Sequence, residues 1–177
     1  MPRFLLRLTL LALPLITAAV PAAAQTSLTR GDQAPAFAGV TRWINSPPLS
    51  TDALRGKVVL VDFWTFECIN CLHALPQVKA LDAKYRDQGL VVVGVHTPEL
   101  DAERDTDNLL AAVKRLGITF PVAQDNDYAT WNAWHNQYWP AQYVIDRQGR
   151  VVYTHIGEGG YDAIENAVRA QLALGTR

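Results

Sequence analysis

Lys57-Val58-Val59-Leu60-Val61-Asp62-Phe63-Trp64-Thr65-Phe66-Glu67-Cys68-Ile69-Asn70-Cys71 decides the fold. Residues 58–63 are dense in β-branched and apolar side chains, the pattern of a strand buried on both faces. The run ends at a Cys-x-x-Cys, and a helical pattern over 68–88 begins there. Leu72, Leu75, Val78, Leu81 and Tyr85 fall on one side of that helix, Pro76 predicts a kink within it, and Gly89 sits where a C-cap belongs. A second buried strand follows at 90–95. Strand, helix and strand at this separation form a βαβ unit with parallel strands. Cys68 then stands at a helix N-terminus, where unpaired backbone N–H groups and the macrodipole favour an anion. A lowered thiol pKa there makes Cys68 the nucleophile, and Cys71, one turn further in, the resolving thiol.

Outward from this unit, the N-terminal side reads as a strand at 37–44, a turn at Asn45-Ser46-Pro47-Pro48, and a helical turn capped by Ser50 and ended by Gly56. The C-terminal side reads as a helix at 107–116, a short strand at 118–123 and a short helix at 128–135. Strands at 142–146 and 151–155 are joined by the tight-turn signal Asp146-Arg147-Gln148-Gly149, and an amphipathic helix at 161–174 closes the chain. The expected class is α/β, a mixed central sheet with helices on both faces.

The chain has 177 residues, 16 Lys+Arg, 17 Asp+Glu and a net charge of −1. A basic start with Arg3 and Arg7, an apolar run over 8–20 and the small residues Ala22, Ala23 and Ala24 describe a secretory signal peptide over 1–24, cut before Gln25. An uncleaved anchor is the other reading. Removing those 24 residues leaves 153, with 14 basic against 17 acidic side chains and a charge of about −3. That length suits one compact domain, and the charge makes no electrostatic case for nucleic acid. Residues 25–33 read as a flexible linker and 34–177 as the domain. Cys68 and Cys71 are the only cysteines. In an oxidising compartment such a pair suits a protein that exchanges disulfides without trapping its own. Half of a zinc site is the competing reading, but about four ligands are needed and no second cysteine pair exists.

Val61 to Cys71, Pro76, and Trp139-Pro140 ahead of a strand resemble the thioredoxin superfamily. Within it the chain is similar to exported TlpA-like proteins. It is similar above all to the thioredoxin-like C-terminal domain of DipZ-type membrane reductases, through Phe63-Trp64-Thr65, Cys68-Ile69-Asn70-Cys71-Leu72, Gly94-Val95-His96-Thr97-Pro98 and Tyr138-Trp139-Pro140-Ala141. The resemblance implies a thioredoxin-like fold with an N-terminal β extension and a helical insertion at 100–126. It also implies a periplasmic thiol–disulfide oxidoreductase that needs no bound cofactor or metal. A reductase is favoured, taking electrons from a membrane thiol donor and passing them to exported disulfide-bonded proteins. No stable membrane insertion is expected once the leader is removed.

The same resemblance assigns roles by residue. Asp62, six positions before Cys68, matches the buried acid of thioredoxin. Desolvation there raises a carboxyl pKa, so that it takes the Cys71 proton. Pro140 matches the cis-proline facing the dithiol, with Trp139 as a wall of the substrate groove. Trp64 matches the tryptophan beside the motif, as plain core, as part of the substrate site, or as both. Ile69-Asn70 replaces the Gly-Pro of thioredoxin, so no redox potential carries over. Glu67, just before Cys68, is expected to face solvent.

Three other activities compete. A disulfide oxidase or isomerase would use the same residues in another direction. A thiol peroxidase would use Thr65-x-x-Cys68, a weak match to peroxiredoxins. A copper metallochaperone would need a histidine converging on Cys68 and Cys71. His73, about 140° round the helix from Cys68, turns away, and His96 is expected at the end of the second strand.

Overall fold

The computed structural model describes residues 27–175. The leader assigned to 1–24 and the start of the 25–33 segment lie outside the described residues. Six strands form one mixed sheet: β1 (Arg42–Ile44), β2 (Val58–Trp64), β3 (Leu90–His96), β4 (Val122–Gln124), β5 (Ala141–Ile145) and β6 (Val151–Ile156). Four helices join them: α1 (Ile69–Tyr85), α2 (Thr106–Arg115), α3 (Ala129–Ala133) and α4 (Tyr161–Ala173). Across the sheet the order is β1-β4-β3-β2-β5-β6. The dithiol strand β2 is central. It runs parallel to β3, from Val58↔Leu90 to Trp64↔His96, and antiparallel to β5, from Val59↔Ile145 to Phe63↔Ala141.

All seven residues of β2 are buried, as a strand covered on both faces requires. Its side chains divide by the two-residue period. Val58, Leu60 and Trp64 join Cys71, Leu75 and Val78 of α1, with α2 and α4, in one core cluster. Val59, Val61 and Phe63 join Trp131 of α3, Trp134 and the N-terminal residues Ala34 and Leu54 in the other. Among the described residues no helix is long and apolar enough to cross a membrane.

The structure shortens two expected strands. At the N-terminal side only Arg42–Ile44 pairs, antiparallel to β4. Gly39 at φ 58° breaks the extended path, and a Cβ there would lie 2.6 Å from that of Ala129. Phe37 instead packs its ring against Trp43 and Trp134. The strand read at 118–123 pairs only over Val122–Gln124. Pro121 has no N–H for a ladder, and the carbonyls of Ile118 and Phe120 are taken by the Asn45 side chain. The insertion at 100–126 is thus more than helical: it returns to the sheet through β4, which lies parallel to β3. The segment read as a linker is also tied down in part. Gly31 N–H donates to Val151 O, Val151 N–H to Asp32 O, and Gln33 forms an isolated bridge with Arg150.

Asp105 starts α2. Its Oδ1 accepts the N–H groups of Asp107 (2.8 Å) and Asn108 (2.9 Å), two donors that otherwise have no partner at a helix start. Asp105→Ala should lower stability by about 1 kcal/mol, read as a fall in the denaturant midpoint at unchanged m-value.

Candidate active site

β2 delivers the chain to Cys68, which is the N-cap of α1 in an extended conformation, φ −78° and ψ 112°. Its Sγ accepts the N–H of Cys71 at 3.2 Å, the place an oxygen takes in an ordinary cap. Cys68 and Cys71 are joined as a disulfide with Cα atoms 5.2 Å apart. Cys68 is half-buried, whereas Cys71 is 3% exposed and packs in the core cluster with Leu75. An incoming sulfur therefore reaches Cys68 first. The first turn of α1 carries no acidic side chain to offset the favourable helix end. Glu67 is exposed, as expected.

Asp62 lies in the middle of β2, between Gly94 of β3 and Gln142 of β5. By the strand period it faces the same side as Leu60 and Trp64, the side on which Cys71 packs. It is 3% exposed, and burial raises its pKa to about 7, with a single opposing hydrogen bond from Gln142. Gln142 Nε2 donates to Asp62 Oδ1 at 3.1 Å, and Gln142 Oε1 is left buried without a partner. Turning the Gln142 amide over would offer that oxygen to a protonated Asp62, so the pair can serve either protonation state. The lack of a side chain at Gly94, the β3 partner of Asp62, leaves room for the Trp64 indole: a Cβ there would lie 2.9 Å from Trp64 Nε1 and 3.0 Å from Phe120.

Trp64 is 2% exposed and packs edge-on against His96 at 5.3 Å. That burial places the ring in the core. Solvent does not reach the ring, so it supports the site from beneath and lines no groove. The Trp139–Pro140 bond is cis, as the resemblance implies. Pro140 is buried and Trp139 half-buried. Trp139 Nε1 donates to Thr97 O at 3.1 Å, and its ring lies against Trp131 at 4.2 Å. β5 begins at Ala141 opposite Phe63, so this loop stands at the dithiol end of the sheet. Exposed Ile69, Tyr138 and Ile156 belong to the same end: Ile69 lies between the cysteines, Tyr138 precedes Trp139, and Ile156 pairs with Ala141.

A further buried group went unread in the sequence. Glu103 is fully buried, and each of its oxygens accepts two hydrogen bonds. Oε1 takes the Thr65 hydroxyl in a short contact and the Glu67 N–H at 3.0 Å. Oε2 takes the N–H groups of Glu99 (2.7 Å) and Leu100 (2.8 Å). Burial pushes this carboxyl up, but the bonds from Thr65, Leu100, Glu67 and Glu99 outweigh it and hold the pKa below the ordinary value. No capping-box signal marked it, because Leu100, at the start of the 3-10 turn over Asp101–Arg104, has no side-chain acceptor; only the return bond from the Leu100 N–H to Glu103 is made. The Thr65 hydroxyl, the feature shared with peroxiredoxins, is buried and committed to Glu103.

His96, the last residue of β3, is fully buried between Trp64 and Phe66. The single Thr65 hydrogen goes to Glu103, so the 3.3 Å contact makes His96 Nε2 the donor to Thr65 Oγ1 and leaves Nδ1 unpartnered. Burial holds this imidazole neutral, with its pKa down at about 4. His73 is exposed and faces Glu158 at 3.2 Å. Among the described residues, no three His, Cys, Asp or Glu side chains converge as metal ligands would.

The Redoxin family matches residues 29–171. Protein DipZ of Mycobacterium bovis is 47% identical over 142 residues, 78% of this chain. The chain spans only about a fifth of that relative's length (20%). The thiol-disulfide oxidoreductase YkuV of Bacillus subtilis is 33% identical over 139 residues, 78% of this chain and 93% of YkuV. A crystal structure of a DsbE-like thiol:disulfide interchange protein from Chlorobium tepidum superimposes with a TM-score of 0.72 at 28% identity, covering 82% of this chain and 99% of that one.

Proposed function

The chain belongs to the Redoxin family and is a thioredoxin-like thiol–disulfide oxidoreductase, and from that premise we propose that it is an exported reductase of protein disulfides. The reading rests above all on one observation: a half-exposed Cys68 at a helix N-cap is bonded to a buried Cys71 on the face that also carries Asp62. In the reduced protein, Cys68 thiolate attacks one sulfur of a substrate disulfide. A mixed disulfide forms, and the first substrate thiolate leaves. Cys71 then gives its proton to Asp62, and its thiolate attacks Cys68 Sγ. The Cys68–Cys71 bond forms, the second substrate thiolate leaves, and two electrons have passed from the dithiol to the substrate. A base with a pKa near 7 suits the second step at neutral pH.

Half-buried Trp139, with exposed Ile69, Tyr138 and Ile156, forms the surface on which an extended substrate segment rests, and the buried cis-Pro140 holds the loop that presents it. The leader-like residues 1–24 support export to the periplasm, with a mature domain from the 25–33 segment onward. A membrane thiol donor that returns the disulfide to dithiol is the partner this cycle needs.

The direction of exchange is tested by titrating the Cys68–Cys71 couple against glutathione in protein lacking residues 1–24. A reductase should equilibrate at about −270 mV, near thioredoxin. A value towards about −120 mV would assign the oxidase role instead.

A further inference from the structure

Behind the dithiol loop lies a polar network that the exchange cycle does not use. Thr65 and Glu67 belong to the short connection from β2 to Cys68. Glu99 and Leu100 belong to the connection that leaves β3. One buried carboxylate ties both connections together, with all four of its bonds made to those four residues. A neutral amide would hold them poorly, because three of the donors are backbone N–H groups and one end of an amide is itself a donor. The network is completed by His96, which is buried, neutral and bonded through Nε2 to Thr65. Within the network Glu103 is the one charged group; the side chains of Glu67 and Glu99 stand outside it and are exposed, that of Glu67 on the residue next to Cys68.

We propose that Glu103 is a positioning residue that fixes the loop presenting Cys68 and sets a permanent negative charge behind it, opposing the Cys68 thiolate and keeping the couple reducing. The inference rests on the reading of Cys68 and Cys71 as the exchanging pair. Glu103 Oε1 is 3.0 Å from the Glu67 nitrogen, and Glu67 is the residue next to Cys68. The carboxylate thus lies within roughly 10 Å of the Cys68 sulfur. A like charge at that range in a protein interior raises a thiol pKa by on the order of one pH unit. A destabilised thiolate means a less stable dithiol, and a dithiol of lower stability is a better electron donor. Glu103 thereby offsets part of the thiolate stabilisation that the helix end supplies.

The test compares wild type with Glu103→Gln and Thr65→Val by thiolate absorbance against pH and by the glutathione titration. Glu103→Gln should titrate Cys68 about one pH unit lower and shift the glutathione equilibrium about tenfold toward the dithiol, about 30 mV. A residue that only clips the loops together would give the opposite sign or none, because a loosened loop misaligns Cys68 with the helix end. An unchanged or raised Cys68 pKa in folded Glu103→Gln therefore overturns the proposal. If that variant does not fold, Thr65→Val decides. It keeps the shape and removes the first of the bonds that hold the buried carboxyl ionised, so the charge behind Cys68 is weakened and Cys68 should titrate lower, in the same direction as in Glu103→Gln. No change or a higher value there overturns the proposal equally. Wild-type protein without a reversible couple would instead sink the exchange reading itself, a result distinct from either.

Discussion

Cys71→Ser should turn the cycle into a trap. With Cys68 intact, attack on a substrate disulfide still forms the mixed disulfide, but no second sulfur is present to resolve it. Turnover of a disulfide-bonded model such as insulin should fall by about three orders of magnitude or more, while a covalent adduct accumulates on non-reducing gels. Cys68→Ser should lose turnover to the same extent and form no adduct, because Cys71 is 3% exposed and out of reach of a folded partner. The contrast between the two variants carries the assignment. An adduct on Cys68→Ser would exchange the two roles, and residual turnover by Cys71→Ser would place the resolving thiol outside this pair.

Asp62→Asn should stabilise the protein and slow it. In the unfolded chain this carboxyl titrates at about 3.9. In the folded one burial raises it to about 7. Below pH ~4 the group is protonated in both states and contributes nothing. Between those values the folded state holds a proton that the unfolded state releases, so stability falls as pH rises, levelling off above pH ~7. About three pH units at 1.36 kcal/mol each gives a loss of about 4 kcal/mol, an upper limit for a site that relaxes. Asparagine carries no such penalty, and Gln142 can turn its free Oε1 toward the new amide.

His96 works in the opposite sense over nearly the same window. Its pKa is about 4 in the fold against about 6.5 unfolded, so it lowers stability as pH falls. The wild-type profile is therefore flattened. The difference between Asp62→Asn and wild type isolates the aspartate, and it should grow from nothing near pH 4 to its full value near pH 7 in denaturant titrations. Resolution of the mixed disulfide by Asp62→Asn should be slower by about 10²-fold at pH 7, the smaller end of the range for a lost general base. A variant neither more stable at pH 8 nor slower in resolution would remove Asp62 from the mechanism. Gain of stability with loss of rate is the pattern expected where a strained group is kept for its chemistry.

Much of the site was legible because it is local. The apolar run of β2, the two cysteines one turn apart and the glycine at position 89 specify strand, helix start and helix end through short-range rules, and the observed α1 begins with Cys68 as its cap. Asp62 stood out as the one acid in that run. The even–odd alternation of a strand cannot say which face an isolated residue takes when both faces are apolar, so its position on the Cys71 side became readable only from the two core clusters. Trp64 shows the same limit. Its place beside the motif suited either core or groove, and the packing of His96 and the opening at Gly94 decided for core.

The sequence by itself determined the βαβ unit, the dithiol at its helix end and the α/β class, since each follows from side chains a few positions apart. Only the tertiary structure decided the groups that act across the sheet. Gln142 meets Asp62 from 80 positions away because β5 pairs antiparallel with β2. Glu103 meets Thr65 from 38 positions away because the connection after β3 folds back over the one before Cys68. Both contacts are long-range, and both exist because a buried carboxyl must find hydrogen bonds wherever the fold brings donors to it.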